Sequence, residues 1–296
     1  MKRWMRICAI SLLVLGMLAL GISSMELSLY QIRGFLNEPI GSEAVNKLQE
    51  NLIVVKWEDE LTKSDVSING ESLSYIDISL NEQLDGHYYI DENAIRIVAG
   101  GMYKLSGELC QIVVDVYDDE NVYLVFENVD IQTQGGPALL VKNANKVVIT
   151  LEGENFLRDS AKYEGEYRAC IFSNADITIN GSGKLEVLGY KHDGIRSKDR
   201  VKILGTNVIV HAKNNGVRGN DGVLVYESIL DIQSEGVGIK SASSKDYVIV
   251  QGGVCNIIAG QNAIEAEKQV TIHDCNADFY SVEEKIKCNG VKEIDE

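Results

Sequence analysis

Asp193-Gly194-Ile195-Arg196 is one copy of a short phrase that returns along the second half of the chain at nearly constant spacing. The other copies place an apolar residue at the same third position and read Ala169-Cys170-Ile171, Asn215-Gly216-Val217-Arg218, Val237-Gly238-Ile239-Lys240 and Asn262-Ala263-Ile264-Glu265. The apolar third residue recurs after steps of 24, 22, 22 and 25 residues. A repeat of this length, built from short apolar runs, is typical of a solenoid in which equivalent residues of successive coils stack.

Each phrase is followed by two short apolar runs. After Asp193 they are Val201-Lys202-Ile203 and Val208-Ile209-Val210, and β-branched residues at a period of two favour strands over helices. The chain has 27 glycines and 2 prolines, which suits stacked strands with tight corners, because glycine adopts positive φ and proline removes a ladder donor. The sequence therefore predicts an all-β fold, a single-stranded right-handed parallel β-helix with three strands per coil.

The region before the repeats has a different character. Residues 42–63 are charged and mildly amphipathic, and we expect a helix there that covers the open end of the stack, because terminal repeats need a polar cap. The predicted organisation is a helical cap or linker over residues 26–65 and a β-helix over residues 66–290. The first coils, up to about residue 100, are expected to be irregular, and the protein is expected to be a monomer.

Residues 1–25 have the features of an export signal. Lys2, Arg3 and Arg6 precede an uncharged stretch over residues 7–25, the order of charge and apolarity that a signal peptide shows. An uncleaved anchor is the alternative, because the stretch approaches the roughly 20 residues needed to span a bilayer. In either case we expect an extracellular or cell-surface domain that meets the membrane only through this segment.

The composition is strongly acidic, with 28 basic and 44 acidic residues and a net charge of −16. No basic patch with interleaved aromatic residues is present in the sequence, so nucleic acid is not an expected partner. The acidity favours divalent cations as partners, although it also serves solubility. The histidines and cysteines follow no nucleophile motif or zinc-ligand spacing, so no catalytic residue is assigned.

Two acidic columns are predicted when the coils are aligned. Asp199, Asp221 and Asp246 each lie two residues before the first strand of a coil, and adjacent coils lie about 4.8 Å apart. Stacked carboxylates repel one another, and calcium, which accepts six to eight oxygen ligands, would bridge them. Asp193 and Asn215 at the start of the phrase are expected to add ligands. The alternative is that neighbouring lysines screen these aspartates, which then serve only as turn residues.

A third column is basic and contains Arg196, Arg218 and Lys240. Cations in register suit a linear polyanion such as a uronate chain, because guanidinium groups bind carboxylates in a bidentate manner. The alternative is that the column pairs with the acidic residues beside it. Exposed tyrosines would add sugar stacking, and the candidates are Tyr117, Tyr123, Tyr163, Tyr167 and Tyr190.

Several phrases in order resemble one known family: Gly101-Met102-Tyr103-Lys104-Leu105-Ser106-Gly107, Ala144-Asn145-Lys146-Val147-Val148-Ile149-Thr150-Leu151 and Asp193-Gly194-Ile195-Arg196-Ser197-Lys198-Asp199. They are similar to the bacterial cell-surface carbohydrate-binding domain family, whose members are calcium-containing parallel β-helices related in fold to pectate lyases. The resemblance covers about residues 66–285. It implies non-catalytic binding of plant-wall polysaccharide, acidic pectic chains and cellulose among them, with calcium along the helix. Of the repeated Asp-Gly-Ile aspartates, only Asp193 is kept.

The predicted function is therefore non-catalytic binding of an acidic pectic or cellulosic polysaccharide at the cell surface, assisted by calcium. A pectate-lyase-like enzyme is one alternative, because the chain offers Arg or Lys beside acidic columns. The coils between residues 171 and 264 differ in length by only three residues, which leaves no long loop to build a cleft. A purely structural spacer or adhesin stalk is the other alternative, and the loss of the repeated aspartates favours it.

Overall fold

The computed structural model describes residues 55–66, 76–77, 86–91, 94–116, 120–162, 165–243 and 246–295. The predicted export signal and the first part of the predicted cap lie outside these residues. In the described ranges, no helix is long and apolar enough to cross a membrane.

The described chain forms a parallel β-solenoid of about eight turns, which confirms the predicted fold class. Its strands lie on three sides, here called flanks 1, 2 and 3. Flanks 1 and 2 are the two arms of a 16-stranded sheet, and flank 3 is a separate 10-stranded sheet. The phrase that recurs in the sequence lies on flank 3, and the two runs that follow it lie on flanks 1 and 2.

The strands are numbered β1 to β26 in chain order. Flank 1 contains β1 (Ile76–Asp77), β8 (Lys146–Glu152), β11 (Asp176–Gly181), β14 (Arg200–Leu204), β17 (Gly222–Tyr226), β20 (Tyr247–Gln251), β23 (Gln269–His273) and β26 (Val291–Ile294). Flank 2 contains β9 (Glu154–Arg158), β12 (Lys184–Gly189), β15 (Asn207–Ala212), β18 (Ile229–Ser234), β21 (Val254–Ala259) and β24 (Asn276–Ser281). Two longer strands extend across both flanks, β4 (Gly101–Leu109) and β6 (Asn121–Gln132).

The strands of flank 3 have three to five residues each. They are β2 (Tyr88–Ile90), β3 (Ala94–Ile97), β5 (Gln111–Asp115), β7 (Leu139–Asn143), β10 (Ala169–Ser173), β13 (Asp193–Ser197), β16 (Val217–Gly219), β19 (Ile239–Ser241), β22 (Ile264–Ala266) and β25 (Ile286–Cys288). All neighbouring pairs in this flank are parallel except β2 and β3. The predicted register is confirmed, because the apolar third residues of the phrase pair in succession: Ile171, Ile195, Val217, Ile239 and Ile264.

The interior between the flanks is filled by ladders of β-branched residues. One ladder on flank 1 consists of side chains that are 0% exposed: Val147, Ile177, Val201, Val223 and Val248. Each such side chain contributes about 1.5–3 kcal/mol through burial. Cys170 and Cys255 are free, buried members of the same core, as expected of small hydrophobic residues.

The corner between flanks 1 and 2 contains a residue with positive φ in seven successive coils: Asn128, Gly153, Gly181, Gly205, Glu227, Gly252 and Asp274. In the coil of Gly252 the next residue, Gly253, also has positive φ. Glycine has no Cβ to clash in this conformation, and Asn and Asp tolerate it better than other side chains. Glu227, at φ 46°, is the residue in this series least suited to the corner. The local requirement explains why glycine recurs at this corner.

Residues 55–66, here called the N-terminal strap, contain two single-turn helices, α1 (Trp57–Glu60) and α2 (Lys63–Val66). We predicted that this region covers the open end of the stack, but its described part lies along the outer face of flank 1. The physical reason is that outward residues of flank 1, such as Leu224 and Ile249, are apolar and need cover. The strap places Val55, Trp57 and Leu61 on them.

Polar contacts fix the strap at both ends. Near its start, the Val55 N–H donates to Gln269 Oε1 and the Gln269 amide donates to the Val55 carbonyl, both at 2.8 Å. Near its end, the Asp65 carboxylate is 0% exposed and pairs with Lys146 Nζ at 2.7 Å and Lys202 Nζ at 3.0 Å. Thr178 Oγ1 donates to the same carboxylate at 2.6 Å.

Candidate functional site

The basic column predicted from the sequence is assembled on the outer face of flank 3. Arg196 pairs in register with Arg218, and Arg218 pairs with Lys240. Alternation along each strand places the neighbouring Ile or Val inside and the cation outside. Three cationic side chains therefore follow one another at about 4.8 Å per coil along the axis.

The three cations differ in how they are paired. Lys240 Nζ lies 2.8 Å from Glu265 Oε1, and Arg196 Nη1 lies 3.7 Å from Asp193 Oδ2. In the part of the chain that the structure describes, Arg218 has no hydrogen-bond or ion-pair partner, and its Nε is buried. The alternative, that these cations pair with nearby acidic residues, therefore holds for Lys240. It holds only at a longer distance for Arg196, and it does not hold for Arg218 among the described residues.

Aromatic residues extend the column in the direction of the N terminus. Phe172 pairs in register with Arg196, and the Arg196 guanidinium lies 5.8 Å from the centre of the Phe172 ring. Tyr167, a half-buried candidate for sugar contact, packs edge-on against Phe172 at 5.2 Å. Burial and then the charge of Arg218 lower the pKa of Arg196, against the opposing effect of Asp193. The two guanidinium groups repel each other, and an anion bound between them would relieve that repulsion.

Asp193 and Asn215 form a buried hydrogen-bonded ladder between coils. Asp193 Oδ1 accepts from the Asn215 N–H at 3.0 Å and from Asn215 Nδ2 at 2.9 Å. Asn215 Oδ1 accepts in turn from the Val237 N–H at 3.2 Å. Asp193 Oδ2 is buried without a hydrogen-bond partner among the described residues, and the Arg196 guanidinium is the cation beside it. Most of the oxygen ligands predicted for calcium here already bind backbone or amide N–H groups.

The second acidic column is also in register. Asp199, Asp221 and Asp246 occupy equivalent positions, because the strands that follow them pair without a shift. Asp199 is half-buried and Asp221 is exposed. Burial, followed by the charges of Asp176 and Asp221, raises the pKa of Asp199. Two neighbouring coils therefore carry crowded carboxylates.

Asp246 is in a different situation. It is 1% exposed, and its two carboxylate oxygens accept from the N–H groups of Glu267 and Lys268, each at 2.9 Å. Burial raises the pKa of Asp246, and these two N–H groups oppose the rise. Over the described ranges, no three or more His, Cys, Asp or Glu side chains are grouped so that they could hold a metal ion. Asp246 therefore holds the turn at Glu267 and Lys268 in the next coil.

A groove with a volume of about 600 Å³ was not predicted from the sequence. It follows the edge where flank 2 turns toward flank 3, and Tyr190, 49% exposed, lies at one end of it. Tyr190 was one of the tyrosines proposed for sugar stacking. Tyr123 is half-buried on flank 1, and Tyr117 and Tyr163 lie outside the described residues.

Comparison with known proteins gives a consistent result. The family model of the carbohydrate-binding domain-containing protein matches residues 91–293. A carbohydrate-binding domain-containing protein of Acetivibrio thermocellus is 35% identical over 221 residues, which cover 70% of this chain and 77% of that protein. The structure of the polysaccharide lyase-like protein from C. thermocellum, a gadolinium derivative, matches with a TM-score of 0.69 at 32% identity, covering 73% of this chain and 92% of that chain. The chain therefore belongs to the carbohydrate-binding domain-containing protein family.

Proposed function

We propose that this protein binds an acidic polysaccharide without cleaving it, through the basic column of Arg196, Arg218 and Lys240 on flank 3. The observation that carries the proposal is the unpaired guanidinium of Arg218 between two other cations. An arginine held in register and left without a carboxylate partner is suited to accept one from a ligand.

The shape of flank 3 supports binding rather than cleavage. Its strands are short and evenly stacked, so the basic column lies along a regular surface that matches the repeat of a linear chain. Lys240 lies two coil steps from Arg196, a distance of about 10 Å along the axis at roughly 4.8 Å per coil. A polyanion would lie parallel to the solenoid axis and place successive carboxylates over successive coils. We propose that this occurs outside the cytoplasm, at the cell surface.

A lyase is the second candidate. It is favoured by the fold of the neighbour from C. thermocellum, which is called polysaccharide lyase-like, and by Arg196, whose pKa is lowered by burial and by Arg218. A guanidinium with a lowered pKa is closer to the neutral form that a base requires. Incubation with polygalacturonate and measurement of unsaturated products separates the two candidates, and we expect no such products.

Calcium is proposed as a partner of the acidic column. The residues best placed to hold it are Asp199 and its neighbour in the next coil, Asp221, because burial and the charges of Asp176 and Asp221 disfavour the ionised form of Asp199 and a divalent cation would reverse this. Asp193, Asn215 and Asp246 have fewer free oxygen atoms, since they hydrogen-bond to neighbouring coils. Calcium bound there would stiffen the stack beside the basic column.

The test is affinity electrophoresis of the purified protein in gels that contain polygalacturonate. Arg218→Gln removes the unpaired charge and is expected to weaken binding by about tenfold, which corresponds to one charge-assisted hydrogen bond. Arg96→Gln is the matched control, because Arg96 lies on the same outer face of flank 3 but pairs with Asp91 at 2.6 Å. Equal mobility of Arg218→Gln and the wild type would refute the role of the basic column.

A further inference from the structure

We infer that the groove beside flank 2 is a second glycan site, separate from the basic column, and that it takes a neutral polysaccharide chain. The inference rests on the proposed function in that it treats the protein as a polysaccharide-binding domain. It adds a site at the edge between flanks 2 and 3 and a different chemical class of ligand.

The groove follows the ends of the flank 2 strands, where small buried residues line it and stack in register: Gly189, Ala212, Ser234 and Ala259. They continue the inward-facing rows of flank 2, and their small size lets the chain turn closely toward flank 3. A Cβ on Gly189 would lie 2.7 Å from the Asp193 carbonyl, so even a methyl group would clash with the turn.

Apolar side chains lie at the two ends of the groove. Tyr190 is 49% exposed at one end, and Ile258 and Val282 are 59% and 81% exposed at the other. Tyr190 and Ile258 are separated by three coils, or about 14 Å at roughly 4.8 Å per coil. Exposed rings and branched side chains at the two ends suit the apolar faces of sugar rings that belong to one extended chain but are not adjacent in it.

Polar groups without partners lie between the apolar ends. His211 and Gln233 are exposed on the groove wall, and neither side chain has a hydrogen-bond partner among the residues that the structure describes. An amide and an imidazole supply both donors and acceptors, which hydroxyl groups can use in either role. The arrangement of apolar ends with a polar centre is complementary to a sugar chain.

The charge of the groove argues for a neutral chain. Lys213 and Glu235 on its rim pair with each other at 2.6 Å, which cancels the two charges. Two residues before the groove wall, flank 2 carries a row with three carboxylates, Glu186, Asp231 and Asp278, facing the same side. These would repel a polyanion, in contrast to the basic column on flank 3.

The experiment is affinity electrophoresis of the full chain in gels that contain hydroxyethyl cellulose, xyloglucan or galactomannan, with polygalacturonate in parallel. We expect at least one neutral polymer to retard the wild type. Tyr190→Ala and Ile258→Ala are each expected to weaken that retardation by about fivefold to tenfold, as loss of an apolar contact does. Ile229→Ala is the matched control, because Ile229 is 44% exposed on flank 2 and lies outside the groove.

Three outcomes would overturn the inference. The first is that none of the neutral polymers retards the wild type, and the second is that Ile258→Ala is retarded as much as Ile229→Ala. The third is that Ile258→Ala sediments more slowly than the wild type, which would show that the groove is a self-association surface instead. Retained binding of polygalacturonate that depends on Arg218 would then leave the proposed function intact. Loss of binding to every polymer would instead remove both. Circular dichroism of each variant separates loss of binding from loss of folding.

Discussion

Replacing Asp65 with Asn is expected to release the N-terminal strap from flank 1 while the coils stay folded. The Asp65 carboxylate is 0% exposed and bridges two ammonium groups, Lys146 at 2.7 Å and Lys202 at 3.0 Å. Lys202 itself is 2% exposed. Removing one partner of a buried ion pair costs about 3–5 kcal/mol, because the remaining charge is left without compensation. Here the loss falls on two lysines, so we expect the upper part of that range.

The readout is the fluorescence of Trp57 in a Trp4→Phe background. Trp57 stacks on Tyr226 with ring centroids 4.7 Å apart, so release of the strap exposes the indole to water. Hydrogen exchange of the strap amides should rise in the variant, while amides in the core strands of flanks 2 and 3 keep their protection. Asp59→Asn is the matched control, because Asp59 is an exposed carboxylate in the same strap.

The same ion cluster predicts a pH dependence. Burial opposes ionisation of Asp65, but hydrogen bonds from Lys146, Thr178, Thr62 and Lys202 outweigh it and hold the pKa of this carboxyl below its usual value of 3.8. An acid with a depressed pKa in the folded state stabilises that state fully above the unfolded pKa. The contribution is lost as pH falls below 3.8 toward the folded pKa. In the wild type, the strap should therefore stay docked from neutral pH down to about pH 3.8 and loosen below it.

A second substitution sharpens the test. Adding Lys202→Met to Asp65→Asn removes one of the uncompensated ammonium groups, so the double variant should recover part of the lost stability. If Asp65→Asn leaves the Trp57 emission and strap exchange as they are in Asp59→Asn, the reasoning about the buried ion cluster is wrong.

Three further predictions concern the corner and the acidic columns. Glu227→Gly should raise the free energy of unfolding by up to about 1 kcal/mol, because glycine adopts the left-handed conformation without strain. Gly205→Ala should lower it by about 1 kcal/mol through the positive φ alone, since the added Cβ would meet nothing within 4 Å. Urea denaturation measures both changes. In EDTA at neutral pH, Asp199→Asn should raise the melting temperature, because burial and then neighbouring carboxylates raise the pKa of Asp199, and the gain should fade as pH falls toward 3.8. In calcium we expect Asp199→Asn to lower the melting temperature instead. An increase in melting temperature that is the same with and without calcium would exclude Asp199 as an ion ligand. Asp193→Ala should lower the free energy of unfolding by about 1–3 kcal/mol, because it leaves the Asn215 N–H without an acceptor. Asp193→Asn keeps an acceptor there and should lose less. Equal losses in urea denaturation would contradict a stabilising role of the Asp193–Asn215 hydrogen bonds.

Sequence periodicity was sufficient to predict the coils because a solenoid converts spacing directly into contact. The steps between Ile171, Ile195 and Val217 specify which residues stack, and the structure has that register. The same argument placed Arg196 and Arg218 next to each other. It could not say which cation lacks a partner, since that depends on side chains of neighbouring coils that lie within reach.

The position of the strap on flank 1 and the groove beside flank 2 were not predicted from the sequence, for different reasons. The strap is joined to flank 1 by contacts between residues that are distant in sequence, such as Asp65 and Lys146, and no local pattern encodes them. A signal was nevertheless present, because Val223-Leu224-Val225 is apolar on both faces of its strand, which indicates that both faces are covered. The groove depends on the angle at which flank 2 meets the next turn, a quantity that the alternation of residues does not contain.

The direction of the strap has a consequence for the order of folding. Its first described residue, Val55, bonds to Gln269, 214 positions later, and its end bonds to Lys146, 81 positions later. The strap is synthesised before the coils on which it docks, and its docking surface is complete only when the late coils exist. Closing it is therefore expected to be a final and slow step. Until then the outer face of Leu224 and Ile249 is open to other chains, and dilution or a chaperone at that stage should improve the yield of refolded protein.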